Sequence, residues 1–264
     1  MIDSSKALVA DILTEQFIPD NVFFYVVKGV IHYYDGDKNY TFKEGDFCIA
    51  RKNRLARYSV ENTKDEFQPI LICLGESFFR NFQEKHKTKT IEFKSTDTFV
   101  KIPKTDLLQN YIHSLKPYYN GIMNIEEAFE NVKYEELLII LLQNQPELAG
   151  IFFDYGIPEK INIEAFMNKN YKFNVNIERF AYLTGRSLSA FKRDFKETFN
   201  DTPSHWLTQK RLQEAYFLID KKSKRPSEIY LDLGFEALSH FSFAFKKQFG
   251  LTPTEMIDKK KTCT

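Results

Sequence analysis

One stretch of this sequence repeats itself, and that repeat limits the fold more than any other feature. Phe195-Lys196, followed by Asn200-Asp201-Thr202-Pro203, recurs as Phe245-Lys246 followed by Gly250-Leu251-Thr252-Pro253. A recurrence at fixed spacing means one supersecondary plan used twice. Each copy reads as helix, tight turn, helix. In the first, Asn176 caps a helix carrying Ile177, Phe180, Ala181 and Leu183, since its side-chain oxygen can accept from an orphan amide two or three residues on. Thr184-Gly185-Arg186 is the turn, with Gly185 supplying a left-handed or otherwise strained dihedral. Ser187 caps the following helix, Leu188 to Phe199, whose core side is Leu188, Phe191, Phe195 and Phe199. Asn200 stands where a left-handed residue is wanted. In the second copy Pro226 opens a helix through Leu231, Gly234 turns, Leu238 to Phe249 follows, and Gly250 ends it. Thr202-Pro203 starts a long connecting helix that runs to Ile219 and holds Trp206, Leu207, Arg211, Leu212, Ala215 and Leu218. Thr252-Pro253 starts a last short helix. A first helix, Ile161 to Asn168, precedes the repeat with Ile161, Ala165 and Phe166 on one side. A short helix, a tight turn and a second helix with a polar outer face form a helix-turn-helix, which lays its second helix in a DNA major groove. One such unit is a weak signal. Two with the same ending are specific.

Charge is distributed as a nucleic-acid reader requires. Lys160 to Thr264 holds 19 Lys and Arg against 12 Asp and Glu, whereas the preceding residues hold 18 against 24. A basic C-terminal part beside an acidic N-terminal part suits a DNA-binding domain attached to something else, although random scatter of surface charge gives the same imbalance. The chain of 264 residues has room for two domains, and they divide as 1–156 and 157–264, with Ile157-Pro158-Glu159-Lys160 as linker. Cys48, Cys73 and Cys263 are scattered and odd in number, neither a disulfide framework nor a metal spacing. A reduced, cytoplasmic setting follows as the default. No apolar run approaches the roughly 20 residues of a membrane helix, and Met1-Ile2-Asp3-Ser4-Ser5-Lys6 lacks the basic start and apolar block of a signal peptide.

The N-terminal part reads as strands to about residue 75 and helices after. Val22 to Lys28, Val30 to Tyr34, Tyr40 to Phe42, Phe47 to Ala50, Arg57 to Val60 and Phe67 to Leu74 are strand-like, with Gly29, Asp35-Gly36-Asp37 and Glu44-Gly45-Asp46 as breaks and turns. Close spacing of this kind argues a small antiparallel barrel or sandwich. Its arrangement resembles a cupin-like half-barrel. Metal-binding cupins carry a His-x-His pair, a Glu and a later His, but the strands here offer only His32. His86, His113, His205 and His240 lie outside them. One imidazole makes neither a metal site nor a catalytic pair, so no metal, no cofactor and no enzymatic activity are expected, and His32 is read as a plain strand residue. Phe24, Val26, Tyr33, Phe47, Ile49, Tyr58 and Ile72 are the expected inward residues. They either line a small-molecule cavity or simply fill the core. Among the helices, Ser77 to His86 takes Ser77 as its cap. Asp106 to Leu115 puts Leu107, Leu108, Tyr111, Ile112 and Leu115 on one face. Ile125 to Leu142 carries Phe129, Val132, Leu137, Ile140 and Leu141, and its end is apolar all round. Such an end needs cover on both sides, from its own domain or from the same helix of a second chain in a homodimer.

The C-terminal residues Arg211-Leu212, Ala215, Glu228-Ile229, Leu233-Gly234-Phe235, Phe241-Ser242, Phe245-Lys246-Lys247, Phe249-Gly250 and Thr252-Pro253 resemble the DNA-binding domain of the AraC/XylS family of transcription regulators. The N-terminal half is similar to the type III secretion activator subgroup through Gly45-Asp46 and Arg51. The resemblance implies an α+β protein, with a cupin-like antiparallel β half-barrel plus helices before an all-α domain of two helix-turn-helix units. It implies seven helices that set two recognition helices in successive major grooves. By position the groove-facing residues of the first are Ser187, Ser189, Ala190, Lys192, Arg193 and Lys196, and those of the second are Leu238, Ser239, His240, Ser242, Phe243 and Lys246. Lys192 and Arg193 can read guanine edges or hold phosphates, or can form an ordinary solvated helix face. Here the sequence departs from the family, which commonly has Arg where Phe243 stands and a polar residue where Leu238 stands. The second helix is therefore expected to give weak or apolar readout, such as contact with a thymine methyl, and the first to carry most of the specificity. The function implied is a sequence-specific transcription regulator, an activator. Its partners are double-stranded promoter DNA, RNA polymerase, a second copy of itself, and a small-molecule effector or regulatory protein. The rival reading is a DNA-binding domain fused to an enzyme such as a repair alkyltransferase. Against it, Cys48 and Cys73 lack the His or Pro-Cys surroundings that activate a thiol.

Overall fold

The strand Asn21–Lys28 (β2) is apolar on both faces, and the computed structural model shows what each face meets. The structure describes residues 16–61, 67–89, 91–119 and 125–262. Met1–Lys6 and Cys263 lie outside the described residues. Contacts divide the chain into two units, one ending at Ile157 and one beginning at Pro158. The whole is an α+β protein.

In the N-terminal unit β1 (Phe17–Ile18), β2, β3 (Val30–Tyr34), β4 (Asn39–Lys43), β5 (Phe47–Ala50), β6 (Arg54–Leu55), β7 (Arg57–Val60) and β8 (Gln68–Leu74) precede helix α1 (Glu76–His86). Strand β9 (Phe99–Ile102) and helices α2 (Asp106–Leu115), α3 (Glu127–Asn144) and α4 (Ala149–Phe152) complete it. All pairings are antiparallel, in a four-stranded sheet β8-β2-β5-β9, a three-stranded sheet β4-β3-β7 and the short pair β1-β6. The turn between β3 and β4 is held by Asp35, whose carboxylate accepts from the amides of Asp37 and Lys38 at 3.0 and 2.8 Å, while Gly36 takes φ +94°.

Two apolar cores share the four-stranded sheet. Between the sheets lie Val22, Phe24 and Val26 of β2 with Ile31, Phe42, Cys48 and Phe99, joined by Tyr33 and Tyr58. On the other face Phe23, Phe47, Ile49, Ile70, Ile72 and Leu74 pack against Phe79, Leu108, Tyr111, Ile112, Leu137 and Leu141 of the helices. This corrects the expected inward set. Phe24, Val26, Tyr33 and Tyr58 face the sheet interior, but Phe47, Ile49 and Ile72 face the helices. The register decides it, because Phe24 opposes Cys48 and Phe23 opposes Ile49. Side chains alternate along a strand, so Ile49 lies on the face opposite to Phe24. A strand buried on both sides carries no polar alternation from which the phase could be read.

Three helical expectations also change. The N-cap of α1 is Gly75, so Ser77 sits within the first turn. On α2, Leu108, Tyr111, Ile112 and Leu115 are buried, whereas Leu107 is 52 % exposed. On α3, Leu137, Leu138 and Leu141 are fully buried within this unit, whereas Phe129 and Val132 are 48 % and 61 % exposed. The apolar end of α3 is thus covered by its own domain. His32 spends both ring nitrogens on neighbours, Thr41 Oγ1 at 2.9 Å and Glu61 Oε1 at 2.8 Å. Among the described residues no cluster of three or more His, Cys, Asp or Glu side chains is placed to hold a metal ion, and no helix is long and apolar enough to cross a membrane.

The C-terminal unit has seven helices among the described residues: α5 (Ile163–Asn170), α6 (Ile177–Leu183), α7 (Leu188–Phe199), α8 (Pro203–Lys222), α9 (Pro226–Ile229), α10 (Leu238–Phe249) and α11 (Pro253–Thr262). Helix α5 begins two residues later than expected, because Asn162 caps it by accepting from the Ala165 amide at 2.8 Å. Its core side is accordingly Ile163 and Met167, and Ile161 is exposed. Helix α9 is a single turn, and Leu231, expected at its end, is 54 % exposed in the turn that follows.

Candidate nucleic-acid interface

Each copy of the repeat builds a helix pair from local signals. In the first, Asn176 Oδ1 accepts from the Arg179 amide at 2.8 Å and Ser187 Oγ from the Ala190 amide at 3.3 Å, so both helices start on satisfied caps. Gly185 sits between them at φ +68°, and a Cβ there would lie 2.4 Å from the carbonyl carbon of Glu159. The turn therefore needs glycine for its dihedral and for the close passage of the chain entering the unit. Helix α7 stops at Asn200, which is left-handed at φ 52°. In the second copy Gly234 makes the turn at φ +80° and Gly250 ends α10 at φ +76°. Glu228 accepts from the Arg225 amide at 3.0 Å and so secures the start of α9.

Phe191 and Phe195 of α7 are fully buried, as are Phe241 and Phe245 of α10. Phe199 and Phe249 extend each stripe, packing at a tilt against Trp206 and Tyr216 at centroid distances of 4.6 and 4.9 Å. With the core side fixed by these rings, the opposite side of each helix faces solvent. On α7, Ser187, Ser189, Lys192, Arg193 and Lys196 are exposed and Ala190 is half-buried. On α10, Leu238, Ser239, His240, Phe243 and Lys246 are exposed and Ser242 is half-buried. Of the twelve positions expected to face a groove, ten are therefore exposed, and Ala190 and Ser242 are half-buried. Aligning the buried phenylalanines puts Arg193 in register with Phe243, Lys192 with Ser242, Ser189 with Ser239 and Lys196 with Lys246. A hollow of about 390 Å³ lies beside the lysines, lined by Ile177, Lys192, Lys196 and residues 201–204 at the start of α8.

Two residues whose bracing role was not recognised from the sequence hold these helices in place. Asp194 accepts from Arg186 Nε at 3.0 Å and from Arg193 Nη2 at 3.0 Å, with Lys160 Nζ at 3.5 Å. Hydrogen bonds from Arg186 and then Arg193, with the charge of Lys160, pull its carboxyl down to about 2. Arg186 also donates to the carbonyls of Thr184 and Ile161 at 2.6 and 2.9 Å, tying the turn to α7 and to the chain before α5. Arg211 of α8 does the equivalent for the second unit. Its guanidinium donates to the carbonyls of Tyr171, Phe173 and Gly234 at 2.7, 2.9 and 2.9 Å. Burial pulls it down to about 10, still charged at neutral pH. It joins the loop before α6 to the turn before α10, so one side chain braces both helix pairs. Lys172–Glu214 at 3.0 Å and Asn174–Glu236 at 3.1 Å reinforce the same junction. A readable signal existed: Arg211 lies four residues from both Leu207 and Ala215, on the apolar stripe of α8, where a charge needs buried partners.

Cys48 and Cys73 do not suit nucleophilic chemistry. Burial pushes Cys48 well above the ordinary thiol range and Cys73 up to about 12, and the thiolate is the reactive form.

Residues 21–151 match the ExsA N-terminal regulatory domain family, and residues 180–259 match a helix-turn-helix domain family. The virulence regulon transcriptional activator VirF of Yersinia enterocolitica is 24 % identical over 242 residues, covering 88 % of this chain and 87 % of that one. The HTH-type transcriptional regulator ExsA of Pseudomonas aeruginosa is 22 % identical over 247 residues, covering 91 % and 87 %. Among solved structures, apo ToxT of Vibrio cholerae aligns with a TM-score of 0.40 at 13 % identity, over 93 % of this chain and 91 % of that one. The C-terminal domain of the response regulator yesN of Fusobacterium nucleatum aligns with a TM-score of 0.34 at 24 % identity, over 36 % and 93 %. An antiparallel β unit of regulatory type joined to two helix-turn-helix units defines a DNA-binding transcription regulator. The chain belongs to the AraC/XylS family of these regulators.

Proposed function

We propose that this regulator activates transcription by laying α7 and α10 in successive major grooves of promoter DNA, under the control of its N-terminal unit. The observation that carries the proposal is the outward stripe of Ser189, Lys192, Arg193 and Lys196 on α7, opposite fully buried phenylalanines. Arginine suits guanine edges, and lysine suits phosphates. Activation is the role named for VirF. It makes RNA polymerase a partner and the cell interior the working compartment.

For the N-terminal unit the packing favours control by a protein over control by a small molecule. Tyr33 sits 4.4 Å from Phe99, 5.8 Å from Phe24 and 6.3 Å from Tyr58, ring centre to ring centre, so aromatic side chains of the unit itself pack against one another between the sheets. Pairing of two copies would use the outer, N-terminal part of α3, where Phe129 and Val132 are exposed, since its apolar end is already buried. The test is a genomic footprint of the purified chain. Arg193→Ala should remove protection from one of the two groove segments while leaving the other. An unchanged footprint would mean that α7 is not a reading helix.

A further inference from the structure

We infer that the second recognition helix reads the 5-methyl group of thymine, with Phe243 as the contacting side chain. This rests on the placement of α10 in a groove proposed above. Phe243 is 71 % exposed, more than any other aromatic side chain among the described residues. The fold makes no use of it, for Phe241 and Phe245 on either side are fully buried and form the core face of α10. It also occupies the same register as Arg193 of the first unit, at one margin of the outward stripe.

The neighbours decide what that stripe can recognise. Ser239, Ser242, Phe243 and Lys246 stand at i, i+3, i+4 and i+7 and so share one face of the helix. Ser242 and Ser239 are short and allow close approach, with the aromatic ring as the longest group between them and Lys246. Where α7 offers Lys192 and Arg193, α10 offers Ser242 and Phe243, and neither of these can donate a bidentate pair to guanine. The floor of a major groove presents donors and acceptors from every base pair but only one apolar group, the thymine methyl. A desolvated ring has that group as its match. Leu238, 39 % exposed at the first turn of the same helix, is placed to widen the apolar contact. The site read by α10 is then an A·T pair, or a pair carrying 5-methylcytosine in its place, whereas the site read by α7 is G-containing.

The experiment uses the full chain and a duplex taken from its footprint. In the half-site that Arg193→Ala leaves protected, thymines are replaced one at a time by deoxyuridine, which removes the methyl group and nothing else. Loss of one buried methyl weakens binding about three- to fivefold. The expected result is a loss of that size at one or two thymines, and none for Phe243→Ala, which should bind the thymine and uracil duplexes equally and melt at the wild-type temperature. Uracil substitutions that are neutral throughout an intact half-site overturn the inference, as does a Phe243→Ala variant that still discriminates. A Phe243→Ala variant with unchanged binding but lost activation places the ring against a protein and overturns it too. Absence of any sequence-specific footprint in the wild type instead removes the underlying placement of α10.

Discussion

Arg211 offers the sharpest perturbation of this molecule. Replacing it by methionine keeps the length and much of the apolar stem but removes three hydrogen bonds to the carbonyls of Tyr171, Phe173 and Gly234. A hydrogen bond from a charged donor is worth about 1.5–3 kcal/mol, which gives a gross loss of roughly 5–9 kcal/mol. Methionine avoids the desolvation of a buried guanidinium, which costs several kcal/mol. The net expectation is a destabilisation of about 2–4 kcal/mol. For a unit of this size, 1 kcal/mol shifts the melting temperature by roughly 4–8 °C, so thermal melting of the full chain should show the C-terminal transition falling by about 8–30 °C. A second readout separates bracing from bulk stability. The three carbonyls belong to the segments that precede α6 and α10, so losing the brace should let the two helix pairs reorient. Below the melting range, Arg211→Met should tolerate one or two base pairs inserted between half-sites better than the wild type does. A variant within about 0.5 kcal/mol of wild type, with unchanged spacing preference, would refute the assignment of Arg211 as the brace.

Other expectations follow from the same units. Because the Asp194 carboxyl is held down to about 2 against an ordinary 3.8, its contribution is complete above about pH 4 and disappears as pH falls towards 2. Asp194→Asn should therefore lower the melting temperature at pH 6 and match the wild type near pH 2; equal differences at both pH values would contradict the ion-pair account. Gly250→Ala meets nothing within 4 Å and suffers only its dihedral at φ +76°, a cost of about 1 kcal/mol. Gly185→Ala adds a collision with the Glu159 backbone at 2.4 Å and should lose at least twice as much in a denaturant titration. Gly250→Asn should be better tolerated than Gly250→Ala, since Asn200 already occupies the matching position at φ 52°.

How much of the fold was legible depends on how far each signal reaches along the chain. Asn176 and Ser187 cap as their residue types imply, because capping is settled within three residues. Gly185, Gly234, Gly250 and Asn200 take positive φ for reasons equally local. The phenylalanine stripes of α7 and α10 follow from helical periodicity, and with them the outward position of Lys192 and Arg193. Ala237 shows the limit, for α10 starts after it with no side-chain cap at all. The short strands Phe17–Ile18, Arg54–Leu55 and Phe99–Ile102 carried no local pattern, and only their distant partners make them strands.

The sequence by itself determined the two-copy helix-turn-helix plan, its turns and its outward basic face, since each depends on residues within a turn or two of one another. Tertiary structure alone decided that Ile49 faces helices while Cys48 faces the other sheet, because a strand buried on both sides looks the same in either phase. It decided that the end of α3 is covered by its own unit. It also decided that Arg211 reaches carbonyls up to 40 residues away along the chain. A guanidinium on an apolar stripe announces that it needs buried acceptors, but only the packed chain says which carbonyls arrive there.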